Sequence, residues 1–266
     1  MKSILITGAA GEIGTVLRAG LSGHYPLLRL ADIRPCKNIG AGEEEIITDI
    51  TDLEAAVAAT KGIDCIVHLA GVPREGPWDQ ILLGNIAGTY NVFEAARRNG
   101  VKRIVFASSN HVIGFHRVGK VVDEHDLLRP DSRYGVSKVF GEAVGRLYAD
   151  KHGLSVACLR IGSFRARPQN ARELRTWISH RDTVQLVRRC IDAPGFHFIV
   201  VYGVSANTRS QWHDKTAQRI GYRPEDNAEA FAAELEGKTY PPGPATEFHG
   251  GDPCAQEFSG DASRIE

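Results

Sequence analysis

Ser3-Ile4-Leu5-Ile6-Thr7-Gly8-Ala9-Ala10-Gly11-Glu12-Ile13-Gly14 is the stretch whose reading decides the fold. An apolar run passes into three glycines spaced by three, then into a pattern with Ile13, Leu17 and Leu21 spaced by four. Strand, glycine turn and amphipathic helix in that order open a parallel β–α–β unit. Glycine permits the sharp turn and the close approach of a pyrophosphate, whose charge meets the positive end of the helix dipole. Three glycines among 28 mean little alone; their place between strand and helix is the signal.

The alternation continues outward from there. Residues 27–31 read as a second strand ending at Asp32, and 45–48 as a third. A short helix covers 55–60, with Thr51 or Asp52 as its cap. Residues 65–69 form a fourth strand, apolar apart from His68, which reads as buried and hydrogen-bonded rather than catalytic. A long helix over 79–99, closed by Gly100, precedes a fifth strand at 103–107. Residues 134–152 make another long helix and 154–161 a sixth strand. Near-continuous apolar strands separated by helices indicate a parallel sheet covered on both faces. Right-handed crossovers then give a doubly wound α/β (Rossmann) fold. Past Arg160 the period changes: 164–175 is polar and Arg-rich, 183–191 helical, 198–202 a seventh strand, and 211–220 and 228–235 further helices. The predicted organisation is a Rossmann domain over 1–162. A small C-terminal substrate-binding cap with its tail, 163–266, interleaves with it.

The 266 residues carry 32 basic and 32 acidic side chains, 42% hydrophobic residues and 8% aromatics. That composition excludes disorder, collagen-like repeats and coiled coil. A net charge of zero advertises neither nucleic acid nor anionic membrane as partner. No run approaches the ~18–20 apolar residues of a membrane span, and a first strand at Ser3 leaves no room for a secretory leader. Five cysteines without a C-x-x-C pair read as reduced thiols of a cytoplasmic protein, with no metal site.

Asp32, eighteen residues past Gly14, closes the second strand. A carboxylate there accepts hydrogen bonds from adenosine ribose hydroxyls and repels a 2′-phosphate, favouring NAD over NADP, with nearby Arg34 acting in the other direction. Asp49-Ile50 suits the adenine or is a solvated loop acid. Leu69-Ala70-Gly71 offers small residues where cofactor passes over backbone, or is a tight strand exit. Tyr134 and Lys138, at i and i+4, share a helical face. Ser108-Ser109-Asn110-His111 ends the fifth strand, at the sheet edge where ligands bind. A phenol with pKa near 10 is a weak base unless positive charge lowers it. Lys138 and an oxidised nicotinamide would supply that charge, with Ser109 bonding the reacting oxygen and Lys138 also holding the nicotinamide ribose.

The glycine motif, Asp32, Gly84-Asn85-Ile86, Ser109 and Tyr134-x-x-x-Lys138 together resemble the extended short-chain dehydrogenase/reductase superfamily over residues 1–165. A closer resemblance, to bacterial uronate dehydrogenases, extends over nearly the whole chain. It rests on Val105-Phe106-Ala107-Ser108-Ser109-Asn110-His111, Tyr134-Gly135-Val136-Ser137-Lys138, Arg160-Ile161-Gly162-Ser163, Thr176-Trp177, Gly203-Val204-Ser205-Ala206-Asn207 and Asp226-Asn227-Ala228-Glu229-Ala230-Phe231. The resemblance implies NAD-dependent oxidation of the anomeric carbon of D-glucuronate or D-galacturonate to an aldarolactone. It implies Tyr134 as base, Ser109 and Lys138 beside it, and Asn85 as a support for water or backbone near the lysine. Implied cofactor contacts are Gly8, Gly11, Glu12, Ile13, Gly14, Asp32, Ile33, Asp49, Ile50, Leu69, Ala70, Gly71, Ser108, Tyr134, Lys138 and Ile161. Implied substrate contacts are Ser109, Asn110, His111, Tyr134, Ser163 and Arg172.

Guanidinium grips carboxylate through two parallel hydrogen bonds. Arg165, Arg167 and Arg175 compete in sequence, and the resemblance selects Arg172. One departure stands out: where the resembled family has a serine touching substrate, this chain has Pro73, which has no donor. That contact is then missing, or comes from Arg74 or a water. The resembled family is often oligomeric, so a cytoplasmic homo-oligomer is expected. Two rivals remain. A nucleotide-sugar dehydratase sets an acid pair after its serine, whereas here stand Asn110 and His111, with no carboxylate before Asp123; an epimerase would share the scaffold. A non-catalytic NAD-binding regulator would have no use for Ser109, Tyr134 and Lys138 together.

Overall fold

In the computed structural model, which describes residues 2–265, the first strand β1 (Ser3–Thr7) turns Ile4 and Ile6 to one face and Leu5 to the other, all fully buried. A strand apolar on both sides must be covered on both sides. The chain does this with a seven-stranded sheet between two helical layers. The strands are β1, β2 (Leu27–Asp32), β3 (Glu43–Ile47), β4 (Cys65–His68), β5 (Arg103–Ser109), β6 (Ser155–Ile161) and β7 (Phe198–Gly203). Their order is β3-β2-β1-β4-β5-β6-β7 and every pairing is parallel. The winding direction reverses between β1 and β4, so a crevice opens beyond their carboxyl ends.

On one face, α1 (Glu12–Leu21) and the helix His180–Asp192 bury Leu17, Leu21, Leu186 and Cys190 against Ile4, Ile6 and Val105. On the other, three helices pack Phe93, Tyr148 and Ala149 against Leu5, Ile66 and Phe106. The first of these three, Leu53–Thr60, is capped by Asp52, whose carboxylate accepts from the N–H groups of Glu54 and Ala55. The second runs over 78–98 and is interrupted by a wide π-turn at Leu82–Ala87. The third, Arg133–His152, starts on a Ser132 cap that bonds Gly135 N and ends at Gly153 in the left-handed region.

Most expected elements are present with edges moved by a few residues; the differences have physical causes. The third strand begins earlier than expected, at three glutamates. It is an edge strand paired only to β2, and Glu43 and Glu44 reach Arg18 and Arg29. The helix expected over 211–220 shrinks to Lys215–Arg219. Trp212 instead forms a bridge with Val122, and Asp214 caps the shortened helix while accepting from Tyr202 N. Residues 228–235 divide into a 3₁₀ turn, Ala228–Phe231, and one α-turn, Ala232–Leu235. β7, from the expected cap region, completes the main sheet beside β6. Among the described residues no helix is long and apolar enough to cross a membrane.

Candidate active site

The crevice at the β1/β4 switch is built mostly from backbone. Gly8 has φ +71°, and a Cβ on it would lie 2.8 Å from Ala70 N, so the glycine turn and the exit of β4 touch main chain to main chain. A Cβ on Gly14 would lie 2.4 Å from Gly8 O. The Thr7 hydroxyl receives the N–H groups of Leu69 and Ala70 at 3.2 and 3.3 Å and meets His68 Nδ1 at 2.8 Å. His68 reaches Thr89 Oγ1 at 3.2 Å from its other nitrogen. Burial, with help from the charge of Lys138, pushes its pKa down to about 3, so it is a neutral structural group. Helix α1 begins on Gly11, which offers no side-chain cap, and its first N–H groups face the cleft unclaimed by a side chain. Asp32 is nearly buried at the tip of β2, its oxygens accepting from Ala10 N and Arg34 N, both at 3.0 Å. The Arg34 guanidinium is mostly exposed, 3.6 Å from the same carboxylate. Ile33 and Asp49 are exposed, and Asp49 turns to the N–H and hydroxyl of Thr51. Ile50 is buried, its carbonyl held by Asn91.

A cleft of about 860 Å³ runs from Ala10, Gly11 and Glu12 to the segment Phe164–Gln169, His180 and Lys238. Next to it, the crevice at the β1/β4 switch fits a dinucleotide on its own chemistry: the Gly8–Gly14 cradle, a helix start with no side-chain cap for phosphate, and the held carboxylate of Asp32 for ribose hydroxyls.

Ser109, Tyr134, Lys138 and Asn85 come together at the carboxyl end of β5. Lys138 Nζ sits 5.4 Å from the Tyr134 ring centre and 5.2 Å from that of Phe106. Burial alone pushes this lysine down to about 8. Burial and the charge of Asp131 push the Tyr134 phenol up to about 12, while hydrogen bonding with Ser109 acts in the opposite direction. At about 8, Lys138 still holds its proton at neutral pH. Asn85 lies in the π-turn and fixes the loop after β4, accepting from Val72 N at 2.6 Å and donating to Val72 O at 3.1 Å. Its amide also reaches Ser137 Oγ, which bonds the carbonyl of Tyr134. Such turns recur at functional sites because they re-aim a side chain.

A separate pocket of about 250 Å³ is lined by Asn110, His111, Ser163, Arg172, Tyr240 and Asp252 among others. The Arg172 guanidinium donates to His249 O at 2.9 Å and Ser163 Oγ at 3.3 Å. The Asn110 amide, oriented by its neighbours, donates to Ile161 O at 3.1 Å and accepts from Arg172 at 2.8 Å. No carboxylate of the described residues lies within 4.0 Å of Arg172, and burial lowers its pKa. Arg165 and Arg167 are committed to Glu173 and Glu234, both at 2.9 Å. Arg175 pairs with no carboxylate of the described residues but does not line the pocket. Pro73 and Arg74 are exposed on the loop after β4.

A sequence model described as the NAD dependent epimerase/dehydratase family matches residues 4–181, two thirds of the chain. This chain belongs to that family. Within the epimerase/dehydratase family it is 44% identical to the uronate dehydrogenase of Pseudomonas putida, covering 93% of this chain and 94% of the relative. A mutant uronate dehydrogenase of Agrobacterium tumefaciens solved with NAD superposes at a TM-score of 0.91, with 44% identity and 96% and 97% of the two chains covered. The glucuronic acid dehydrogenase of Chromohalobacter salexigens gives a TM-score of 0.92 with 39% identity, over 99% of this chain and all of its own.

Several residues that shape this epimerase/dehydratase site were not picked out from sequence. Asn91 and Ser137 act through backbone carbonyls; Ser137 lies three residues past Tyr134 on its helix, whereas Asn91, six past Asn85, carries no spacing signal. His249 and Tyr240 come from the tail, whose lack of periodicity hid its return to the pocket. Glu75 accepts from Tyr134 N at 2.9 Å and pairs with Arg133, tying the loop after β4 to the start of the helix. Asp131 lies three residues before Tyr134 and bonds His111.

Proposed function

We propose that this chain is an NAD-dependent uronate dehydrogenase, oxidising C1 of D-glucuronate or D-galacturonate to the aldarolactone. The observation that carries the reading is Arg172. Among the described residues it is a guanidinium with no carboxylate of its own, opening on a pocket it shares with Asn110, His111 and Ser163, beside Ser109 and Tyr134. A half-buried cation without a counter-charge there calls for an anionic substrate, and the planar fork suits a carboxylate. A pocket near 250 Å³ suits one sugar ring. It falls below the ~300–1,000 Å³ typical of larger ligands such as a nucleotide sugar.

When bound, NAD supplies the hydride acceptor and a positive charge near the phenol. The chain's own part is to place the sugar and move one proton. Arg172 holds the substrate carboxylate, and Ser109 orients O1. Tyr134 as phenolate takes the O1 proton while the C1–H bond breaks and the C1=O bond forms. A phenol held near 12 leaves little base at neutral pH, so the added positive charge matters. Lys138 and Asn85 steady Tyr134 and the loop that lies over the cofactor, and the segment from 163 onward serves as the sugar cap. A cytoplasmic homo-oligomer completes the reading; the five cysteines, all buried and unpaired, suit a reducing compartment.

Incubation of the protein with NAD and a panel of glucuronate, galacturonate, glucose and a UDP-sugar, followed by NADH absorbance, tests this. Signal with the two uronates supports it; equal turnover of glucose, or none of the uronates, sinks it. Tyr134→Phe should lower kcat by ~10²–10⁴-fold, the usual worth of a positioned base, while NAD still binds.

A further inference from the structure

Resting on the reading above, the deepest feature not yet assigned a task is a carboxylate behind the sugar pocket. Asp131 Oδ2 accepts from His111 Nδ1 at 2.7 Å, and the Asp131 side chain is completely buried. The main chain ties the two residues again, with Asp131 N donating to His111 O at 3.3 Å. The imidazole stands edge-on to the Tyr134 ring, centres 5.8 Å apart, and lines the pocket. Among the described residues nothing bonds its Nε2.

Burying a carboxylate is costly unless its oxygens are satisfied, and three separate segments arrange for it. Gly114, after β5, and Gly250, in the tail, both leave the space that a side chain would take. A Cβ on either would lie 1.9 Å from Asp131 Oδ2. The two glycines are joined by Gly250 N donating to Gly114 O at 2.9 Å, and Cys254 closes the far side. Oδ1 accepts from Ser132 Oγ at 2.7 Å, and that hydroxyl accepts in turn from Gly135 N at 3.0 Å, in the turn that carries Tyr134. A loop, a helix start and the tail therefore converge on one acid, and among the described residues its side-chain partner that lines the pocket is His111.

We propose that Asp131 is a positioning residue that fixes the His111 ring with Nδ1–H toward the carboxylate, so that Nε2 is presented to a hydroxyl of the bound uronate. An acceptor-only carboxylate permits no other arrangement at Nδ1. In the neutral imidazole this leaves Nε2 with its lone pair toward the pocket, as an acceptor for a sugar hydroxyl. This recognition needs no donor from Pro73, which does not line the pocket. It gives the pocket a second polar anchor besides Arg172, made of ring and hydroxyl rather than of two charges.

The test combines Asp131→Asn and His111→Ala, singly and together, with D-glucuronate as the probe and NAD saturating. D131N should raise KM by about tenfold or more, the worth of one misaligned buried hydrogen bond, with kcat changed far less and NAD affinity kept. In the H111A background D131N should add nothing further to KM. An equal loss with and without His111 would mean that Asp131 only supports the helix start, and would overturn the proposal. A second measurement does not depend on any variant folding: long-range ¹H–¹⁵N NMR of the wild-type chain should find His111 protonated at Nδ1, and a neutral ring protonated at Nε2 overturns the proposal equally. If the wild type turns over no uronate at all, the proposed substrate fails while the ring orientation can still be read.

Discussion

The two cavities of this molecule are made of different material. The cofactor crevice at the β1/β4 edge is shaped by main chain: Gly8 against Ala70, a glycine turn closed by Gly11 N donating to Gly8 O, a helix start with no side-chain cap, and a threonine hydroxyl that holds the exit of β4. The proposed sugar pocket is walled largely by side chains, and three of them are aimed by residues behind them. Arg172 is aimed by His249 and Asn110, His111 by Asp131, and Ser163 by Thr176. A backbone wall tolerates many sequences but no Cβ in the wrong place. A side-chain wall tolerates little at its working positions, and it can be re-cut for another sugar without touching the sheet.

Arg172→Met should separate the two walls most sharply. It removes the one pocket guanidinium that, among the described residues, pairs with no carboxylate. Truncating one partner of a buried charged pair costs ~2–5 kcal/mol, so kcat/KM for glucuronate should fall on the order of 10²–10³-fold while NAD titrations are unchanged. A loss under about fivefold would mean that the pocket does not anchor its ligand by charge. Gly8→Ala probes the other wall and should do the reverse. With φ +71° and Ala70 N 2.8 Å from the new methyl, the turn must shift. Strain of ~1–3 kcal/mol should weaken NAD binding roughly 5- to 150-fold, read by fluorescence titration, with uronate KM at saturating NAD nearly kept. Parallel losses in both ligands would break the comparison.

That division also explains what could be read in the sequence. Elements that obey one period were legible: the sheet, the glycine turn and the Tyr134–Lys138 face, because a buried face repeats its hydrophobicity whatever its neighbours do. β3 was blurred because an edge strand carries Glu43-Glu44-Glu45, of which Glu43 and Glu44 pair with Arg18 and Arg29 and Glu45 accepts from Cys36 N. The π-turn at Leu82–Ala87 was invisible, since its residues suit an α-helix equally well. In the sugar pocket the resemblance pointed to Arg172, and only coordinates show Arg165 and Arg167 spoken for by acids. Asp131 was least legible. Its partner lies 20 residues away, and the space it fills is emptied by glycines 136 residues apart, Gly114 and Gly250. No local pattern encodes a vacancy made by two distant loops.

The smallest expected effect concerns His68, a titratable side chain inside the backbone-built wall. His68 and His111 are both held at a ring nitrogen, but His111 faces a carboxylate and His68 faces only the hydroxyls of Thr7 and Thr89. Nothing there stabilises a charged ring, and burial pushes His68 down to about 3, against ~6.5 for a free imidazole. Between those values the unfolded chain binds a proton that the folded chain refuses, so stability rises with pH and is lost as pH falls from 6.5 toward 3. The full difference is roughly 4–5 kcal/mol. Only the upper part of that window is accessible before other groups unfold the protein; His249, held down to about 4, adds to the same slope. The informative quantity is therefore a difference. Between pH 6.5 and 5 the wild type should lose about 2 kcal/mol more than His68→Asn, read from urea midpoints at the two values. Equal losses would mean that His68 is charged in the folded state, and that the wall behind the cofactor contains a counter-charge that the two threonines do not provide.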